Sequence, residues 1–495
     1  MRLSELLNDV EIEGIAGDPS IDVASVTTDS RACEPGSLFI AIRGFSVDGS
    51  DFVDSALKKG AVAVVAEKPL RIEAVTVQTR NARAAAARIA AAFHGHPSRR
   101  LSLIGVTGTS GKTTTSRMIE SILEATGKPV GLIGTIEYRA GALREIADRT
   151  TPDSIVLQQW LARMVEAGVP RAVMEVSSHA LALERTLGIE FAAAVFTNLS
   201  RDHFDFHHDF EDYFAAKKVL FDQIDRAKRT AVVNAGDPWG LRLIAELGPA
   251  ALTFGEREDA DIHPAAGFTS DLEELSGVIR TPWGDVALRS SLVGSPNLSN
   301  WMAAIGAALV AGIDIPLIEQ GIRTLAAVRG RFERVPSSRG TVLVDYAHKP
   351  DALEKLLRAI RAMAPDRKIT LIFGCGGDRD QGKRPMMGEI AGRFADFTIL
   401  TSDNPRSEPP EAIIDQIEEG IARVGGARWA RLSDRRAAIE QGIASIDEGT
   451  VVVIAGKGHE NYQVVGDRII HFDDLEEAEL AIEKQNEILD ENHVS

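Results

Sequence analysis

Cysteine is nearly absent from this chain. Of its 495 residues only Cys33 and Cys375 carry a thiol. Two thiols so far apart in sequence cannot staple a small scaffold, and their scarcity points to a reducing compartment. Long apolar runs are missing too, so no segment approaches a membrane span. The first residues soon meet Asp9, Glu11 and Glu13 and lack the apolar core of a signal peptide. Positive charge is in deficit, with 55 Lys and Arg against 72 Asp and Glu, a formal net charge of −17. That balance argues against nucleic acid or an anionic membrane as partner. An anionic substrate must then be held by local arginines and lysines. The expectation is a cytoplasmic protein with no membrane insertion. With 44% hydrophobic residues and this length, the chain can build sizeable cores in about three domains.

The most informative stretch is residues 105–114, GVTGTSGKTT. A short apolar segment, 101–104, precedes it, and Met118, Ile119, Ile122 and Leu123 follow at helical spacing. Strand, glycine-rich turn and helix form the context of a phosphate-binding loop. Here Gly108, Thr109, Ser110, Gly111, Lys112, Thr113 and Thr114 make a compact G-x-x-G-K-T-T, because Val106 stands where the commoner pattern has its first glycine. The glycines let backbone N–H groups turn toward phosphate oxygens, and the helix N-terminus adds its dipole. Lys112 would reach the β- and γ-phosphates and Thr113 would hold Mg²⁺. The bland alternative is a glycine-rich turn with a surface lysine, which leaves the agreement of strand, glycines, lysine and threonine unexplained.

Three α/β segments follow from the patterning. Residues 1–98 carry strand signals at 37–42, 61–66 and 74–77 and an alanine-rich helix at 81–93. Residues 99–330 contain near-continuous apolar runs at 172–176 and 192–197, suited to parallel strands buried on both faces. Shorter alternating stretches at 261–293 predict an antiparallel hairpin, and helices resume from Asn297. Residues 331–495 repeat the α/β grammar with strands at 341–345, 369–373, 397–401 and 451–455. The expected fold is α/β in three domains: a small N-terminal domain, a central P-loop-type, mostly parallel sheet, and a Rossmann-like C-terminal domain.

Polar clusters end six of these strands: 175–179, 197–203, 345–348, 374–379, 402–406 and 456–460. In open α/β sheets ligands bind beyond the carboxyl ends of the strands. A single polar loop would mean little. Six of them suggest a cleft with ATP on one side. Glu175 and His203 are candidate metal ligands beside Thr113, although imidazole is a less usual partner for Mg²⁺. His203 reads equally well as a residue that caps a turn.

These motifs, together with Asn297 and Asn300, resemble those of the Mur ligases, ATP-dependent amide-forming enzymes of peptidoglycan precursor assembly. The resemblance covers essentially the whole chain. The segment Asp403, Asn404, Pro405 and Arg406 is similar to the form found in diaminopimelate-adding members. The resemblance implies that ATP phosphorylates the D-glutamate γ-carboxylate of UDP-N-acetylmuramoyl-L-alanyl-D-glutamate. The amine of meso-diaminopimelate then attacks the acyl phosphate. A monomer is expected.

Residue roles carry over in the same way. Lys112, Lys217 and His203 would be catalytic, Lys217 as a CO₂-derived carbamate that adds a metal ligand beside Thr113, Glu175 and His203. Neighbouring helical positions differ by about 100°, so Lys218 could not replace Lys217. Asn300, Arg331 and Asp345 would contact the nucleotide, with His348 close to them. Ser30, Phe45, Ser46 and Val47 would hold the uridine end, and Thr150, Thr151, Ser177 and Arg185 the muramoyl-peptide. Leu183 departs from relatives that carry a glutamine there. Arg379, Asp403, Asn404, Pro405, Arg406, Gly456 and Glu460 would form the amino-acid pocket, with Arg406 pairing the distal carboxylate of diaminopimelate. The competing readings are an L-lysine-adding equivalent, a folylpolyglutamate synthetase, and a P-loop NTPase that switches a partner. The folate group resembles only the later two segments, and the NTPase reading leaves the last three clusters without a task.

Overall fold

The computed structural model describes residues 1–225, 227, 228 and 230–494. The chain divides into two compact units, Met1–His263 with Met302–Gly321, and Pro264–Trp301 with Ile322–Ser495. Among the described residues no helix is long and apolar enough to cross a membrane.

The first unit holds two sheets. The smaller has five strands in the order Ile12–Ala16, Val75–Thr79, Ala61–Ala66, Ser37–Ile40 and Ser25–Thr27. Only Ile12–Ala16 runs antiparallel to its neighbour. The alanine-rich helix forms at Ala82–Phe93, and the Asn81 side chain caps it by accepting from the N–H groups of Arg83 and Ala84. Its alanines pack on the sheet, and Ile155 of the helix Ser154–Glu166 joins the same core.

The larger sheet has eight strands. Six are parallel, in the order Ala251–Phe254, Ala231–Asn234, Ala193–Phe196, Ser102–Thr107, Arg171–Glu175 and Val130–Ile133. Glu137–Ala140 and Leu143–Ile146 extend it as an antiparallel hairpin. The apolar runs noted above are interior strands of this sheet, buried on both faces, so their positions are apolar or small apart from Glu175, which ends its strand. The helix Lys112–Glu124 follows the strand Ser102–Thr107 after four residues. That places the phosphate loop at the carboxyl end of a central strand.

The second unit contains the predicted hairpin, Leu275–Arg280 with Val286–Ser290, and a six-stranded sheet. Its order is Glu333–Val335, Thr341–Asp345, Thr450–Ala455, Lys368–Phe373, Phe397–Leu400 and Trp429–Arg431. All pairs are parallel except the first. Three features of this unit have no counterpart in the sequence reading: the two edge strands, Glu333–Val335 and Trp429–Arg431, and a separate hairpin of Tyr462–Val465 with Arg468–His471. The edge strands are only three residues long, too short for period-2 reasoning. The hairpin carried a signal that was passed over, the two-residue turn Gly466-Asp467 between two β-rich runs.

Candidate active site

The loop between Thr107 and Lys112 depends on two glycines. Gly108 has φ +150° and Gly111 φ +86°. A Cβ on Gly108 would meet the Thr197 hydroxyl at 1.9 Å, so only glycine fits. Asn198 fixes the loop by accepting from the Ser110 N–H at 2.9 Å through Oδ1 and donating to the Ser110 carbonyl at 3.1 Å. Lys112 opens the helix and donates to the carbonyls of Gly108 and Thr109 at 2.9 and 3.0 Å.

Glu175 ends the neighbouring strand and is buried. Its carboxylate accepts from the Thr113 hydroxyl at 2.9 Å, from the Thr135 hydroxyl at 2.9 Å and from the Thr135 N–H at 2.8 Å. Gly134 lets the carboxylate approach, since a Cβ there would lie 2.6 Å from Oε1. Two hydroxyls and one carboxylate form a hard-oxygen set of the kind Mg²⁺ accepts. Among the described residues no three His, Cys, Asp or Glu side chains gather as a metal cluster.

Further hydrogen bonds run from Glu175 to the expected peptide-binding residues. Thr135 and Thr150 hydroxyls lie 3.1 Å apart. Thr151 donates to the Glu175 carbonyl at 2.8 Å and accepts from the Ser177 N–H at 3.0 Å. Arg185 donates to the Thr151 carbonyl at 2.9 Å, and burial, followed by the charges of Arg149 and Arg83, holds its pKa below the usual value. The structure thus brings Thr113, Thr150, Thr151, Glu175, Ser177 and Arg185 into one bonded group.

Lys217 lies on the helix Phe210–Lys218 and is buried. Its ammonium donates to the Gly108 carbonyl at 2.8 Å and sits 4.4 Å from the centre of the Tyr213 ring. Lys218 instead points to a half-exposed ion pair with Glu246 at 2.7 Å. His203 takes a left-handed backbone, φ +55°, uncommon for a residue with a Cβ. Its ring packs edge-on against His179 with centroids 4.7 Å apart, and its Nε2 lies 3.1 Å from Asp202. Nearby, buried His207 bridges Ser178 at 3.0 Å and Asp212 at 3.3 Å, and burial holds its pKa low. Tyr213 reaches Thr109 of the phosphate loop at 3.2 Å.

The expected uridine-end residues lie in the first unit. Ser30 is buried in a short 3₁₀ helix whose N-cap is Asp29. Phe45, Ser46 and Val47 are exposed, Phe45 at 81%. The Phe45 ring stands edge-on to Phe206 at 6.1 Å, with the Arg83 guanidinium 5.9 Å away.

The second unit gathers the other two groups. Asn300 lies on the helix Ser295–Val310, and its amide donates to Asn297 at 3.4 Å. Asp345 accepts from the N–H groups of Phe332 and Ala347. The Arg331 guanidinium stacks 4.4 Å from the centre of the Tyr346 ring. Burial pushes the His348 pKa down to about 3, so this imidazole is neutral, and its Nδ1 lies 2.8 Å from the Tyr346 carbonyl.

At the carboxyl ends of the strands Phe397–Leu400 and Thr450–Ala455, Asp403, Asn404, Lys457 and Glu460 converge. Asn404 donates to Glu460 at 2.9 Å. Lys457, wholly buried, has its ammonium 3.3 Å from Asn404 Oδ1, 3.6 Å from Asp403 and 3.5 Å from Glu460. Asp403 Oδ1 is buried without a hydrogen-bond partner. Gly456, φ +119°, passes so close that a Cβ would stand 3.3 Å from Asp403. Arg406, also left-handed at φ +52°, donates to the Gly377 carbonyl at 2.7 Å. The Pro405 carbonyl lies 1.9 Å from where a Cβ on Gly377 would stand. Arg379 is exposed beside Gly376. Cys375 is buried in the same loop, its thiol 3.7 Å from Met387 Sδ.

Four contributors escaped the sequence reading. Thr135 follows a four-residue apolar run, a strand-end signal that was available. Lys457 lies within a cluster already noticed, but its burial is a tertiary fact. Tyr346 and Gln463 touch the pocket groups through Glu460 at 3.3 Å and the Asp403 carbonyl at 2.6 Å. Gln463 belongs to the hairpin that turns at Gly466-Asp467.

Comparison with known proteins matches three segments of the chain. Residues 22–103 match the Mur ligase family catalytic domain, 106–308 the Mur ligase middle domain, and 330–458 the Mur ligase glutamate ligase domain. The chain is 48% identical to the UDP-N-acetylmuramoyl-L-alanyl-D-glutamate–2,6-diaminopimelate ligase of Gloeobacter violaceus, over 98% of this chain and 99% of that one. A solved structure of a ligase with the same description has a TM-score of 0.72 at 33% identity, covering 98% of this chain and 99% of its own. A MurF ligase from Thermotoga maritima, solved with ADP, shares the fold at a TM-score of 0.60 and 18% identity, covering 94% and 98%.

Proposed function

The chain belongs to the Mur ligase family, and we propose from its pocket chemistry that it adds meso-diaminopimelate to the D-glutamate γ-carboxylate of UDP-N-acetylmuramoyl-L-alanyl-D-glutamate, forming ADP and phosphate. The observation that carries the substrate assignment is the cluster of Asp403, Glu460 and Arg406, bridged by Asn404. It offers acceptors for ammonium groups and a guanidinium for a distal carboxylate.

The chemical difficulty is to bring two anions together, a carboxylate and a triphosphate. The loop N–H groups and Lys112 gather the phosphate oxygens; Thr113, Glu175 and Thr135 would hold Mg²⁺, which would add positive charge near the phosphates. Thr151, Ser177 and Arg185 orient the peptide so that its γ-carboxylate faces the γ-phosphate. The attacking amine must be neutral, and the carboxylates of Asp403 and Glu460 are the acceptors through which the amino acid is held for deprotonation. Asn300, Arg331 and Asp345 are the proposed nucleotide contacts of the second unit, and Ser30 with residues 45–47 the uridine contacts. Lys217 is proposed as the carbamylated lysine, supported by its burial against the phosphate loop. His203 is proposed to serve the same cation environment. We also propose the three-domain division 1–98, 99–330 and 331–495, and a cytoplasmic setting.

Phosphate release tests the reading. Protein, ATP, Mg²⁺ and the UDP-muramoyl-dipeptide are mixed with meso-diaminopimelate, L-lysine or no amino acid. Release only with diaminopimelate, with the tripeptide product by mass, is expected. Equal release in all three would instead mark an NTPase.

Two variants probe the chemistry. Glu175→Gln keeps the shape but removes a charge that holds Thr113 and Thr135. The Mg²⁺ concentration for half-maximal rate should rise by roughly tenfold or more, and an unchanged requirement would remove Glu175 from the cation site. Glu460 has its pKa raised by burial and then by the charge of Asp403, with Lys457 opposing. It therefore takes up a proton at higher pH than an exposed glutamate does. KM for the amino acid should climb as pH falls through that raised value, and Glu460→Gln should flatten this limb. A limb that survives the substitution would assign it to another group. The fold favours the protonated form, so the stability linked to Glu460 is lost as pH rises through the same value.

A further inference from the structure

We infer that Arg384 and Glu408 are a positioning pair that sets amino-acid specificity by locking the loop 374–379 to the loop 403–408. The inference deepens the ligase reading above and rests on it.

Arg384 is the second residue of the helix Lys383–Phe394, and its side chain is wholly buried. Both of its terminal nitrogens donate to Glu408 at 2.8 Å, a two-pronged pair of fixed geometry. The same guanidinium donates to the Gly376 carbonyl at 3.1 Å and to Gln416 at 2.9 Å. Glu408 in turn accepts from the Asp378 N–H at 2.6 Å. Asp378 accepts from the Ser407 hydroxyl at 2.7 Å and the Ser407 N–H at 3.2 Å. Two further bonds complete the seam: the Gly377 N–H donates to the Asn404 carbonyl at 2.9 Å, and the Arg406 guanidinium donates to the Gly377 carbonyl at 2.7 Å.

The seam joins the two stretches that carry Arg379 and Arg406. It also holds two residues in the left-handed region, Asp378 at φ +53° and Arg406 at φ +52°. Such conformations persist only where surrounding bonds over-determine them. Arg406 owes its direction to that backbone, and a binding group displaced by a fraction of an ångström loses much of its discrimination. Neither Arg384 nor Glu408 belongs to the pocket itself. A pair that only stabilised the fold would affect melting and leave the ratio of substrate constants alone.

The test measures KM for meso-diaminopimelate, for ATP and for the UDP-muramoyl-dipeptide, with the preference over L-lysine and the thermal midpoint. Three variants are compared: Glu408→Gln, the exposed Ser407→Ala, and the double substitution Arg384→Met with Glu408→Met. The double variant removes both charges together, so it avoids leaving one buried and unpaired. Glu408→Gln and the double variant should raise KM for diaminopimelate by roughly 10–100-fold and lower the preference over lysine. KM for ATP and for the dipeptide should stay put. Ser407→Ala should move the same constants less. Folded variants that keep the diaminopimelate KM and preference, or that shift all three KM values together, would overturn the inference. A double variant that recovers wild-type constants would also overturn it. Wild-type enzyme inactive with diaminopimelate but active with another amino acid would sink the substrate reading instead. The same comparison run with that amino acid then decides the role of the pair.

Discussion

Lys112→Ala is expected to lower ATP-dependent turnover by about 10²–10³-fold, the usual cost of losing one charge that stabilises a developing anion. The residue sits at the first position of the helix Lys112–Glu124, with its ammonium drawn back over the loop carbonyls of Gly108 and Thr109. It contributes nothing to the apolar core, so the thermal midpoint should scarcely change. The loss should fall chiefly on kcat, because the γ-phosphate gains charge as its bond breaks and the lysine matters most then. Phosphate release and nucleotide titration separate the two effects. Turnover equal to wild type would mean that this loop is not where the phosphoryl group is transferred.

Arg406→Ala is expected to abolish the preference for diaminopimelate over lysine. An unpaired buried charge costs about 3–5 kcal/mol, on the order of 10²–10³-fold. Arg406 is only half-buried and already donates to the Gly377 carbonyl, so the lower end, roughly 10²-fold, is the expected loss for diaminopimelate. Lysine, which has no distal carboxylate, should lose little. Competition between the two amino acids at fixed dipeptide concentration measures the ratio directly. A ratio that does not move would take the distal carboxylate away from Arg406.

What could be read from the residues, and what could not, follows from the kind of information each feature needs. The interior strands were legible because parallel strands buried on both faces must be apolar along their whole length, as at Ala193–Phe196 and Thr450–Ala455. The phosphate loop was legible because its glycines answer a local demand of the backbone. Lys457 and Arg384 were not. Each looks like a surface cation in its own segment, Lys457 between two glycines and Arg384 between Lys383 and Pro385, yet both side chains are wholly buried. Only partners distant in sequence make burial of such charges tolerable. The left-handed backbones of His203, Asp378 and Arg406 were hidden for a similar reason: His and Asp are over-represented there but still adopt it too rarely for residue type to locate it, and Arg has no such preference. Thr135 was a missed opportunity, because the apolar run before it ends a strand beside Glu175.

The buried thiol of Cys375 has a practical consequence. Burial pushes its pKa up to about 12, and Cys33, the only other cysteine, is free, buried and also shifted upward. At neutral pH neither offers a thiolate to an alkylating reagent while the protein is closed. Slow labelling of Cys375 therefore clocks the spontaneous opening of the loop 374–379, in minutes or hours of chemistry, without any introduced probe. An amino acid that seals this loop would slow the clock. The chain carries, beside its proposed specificity pocket, a native reporter of how often that pocket comes apart.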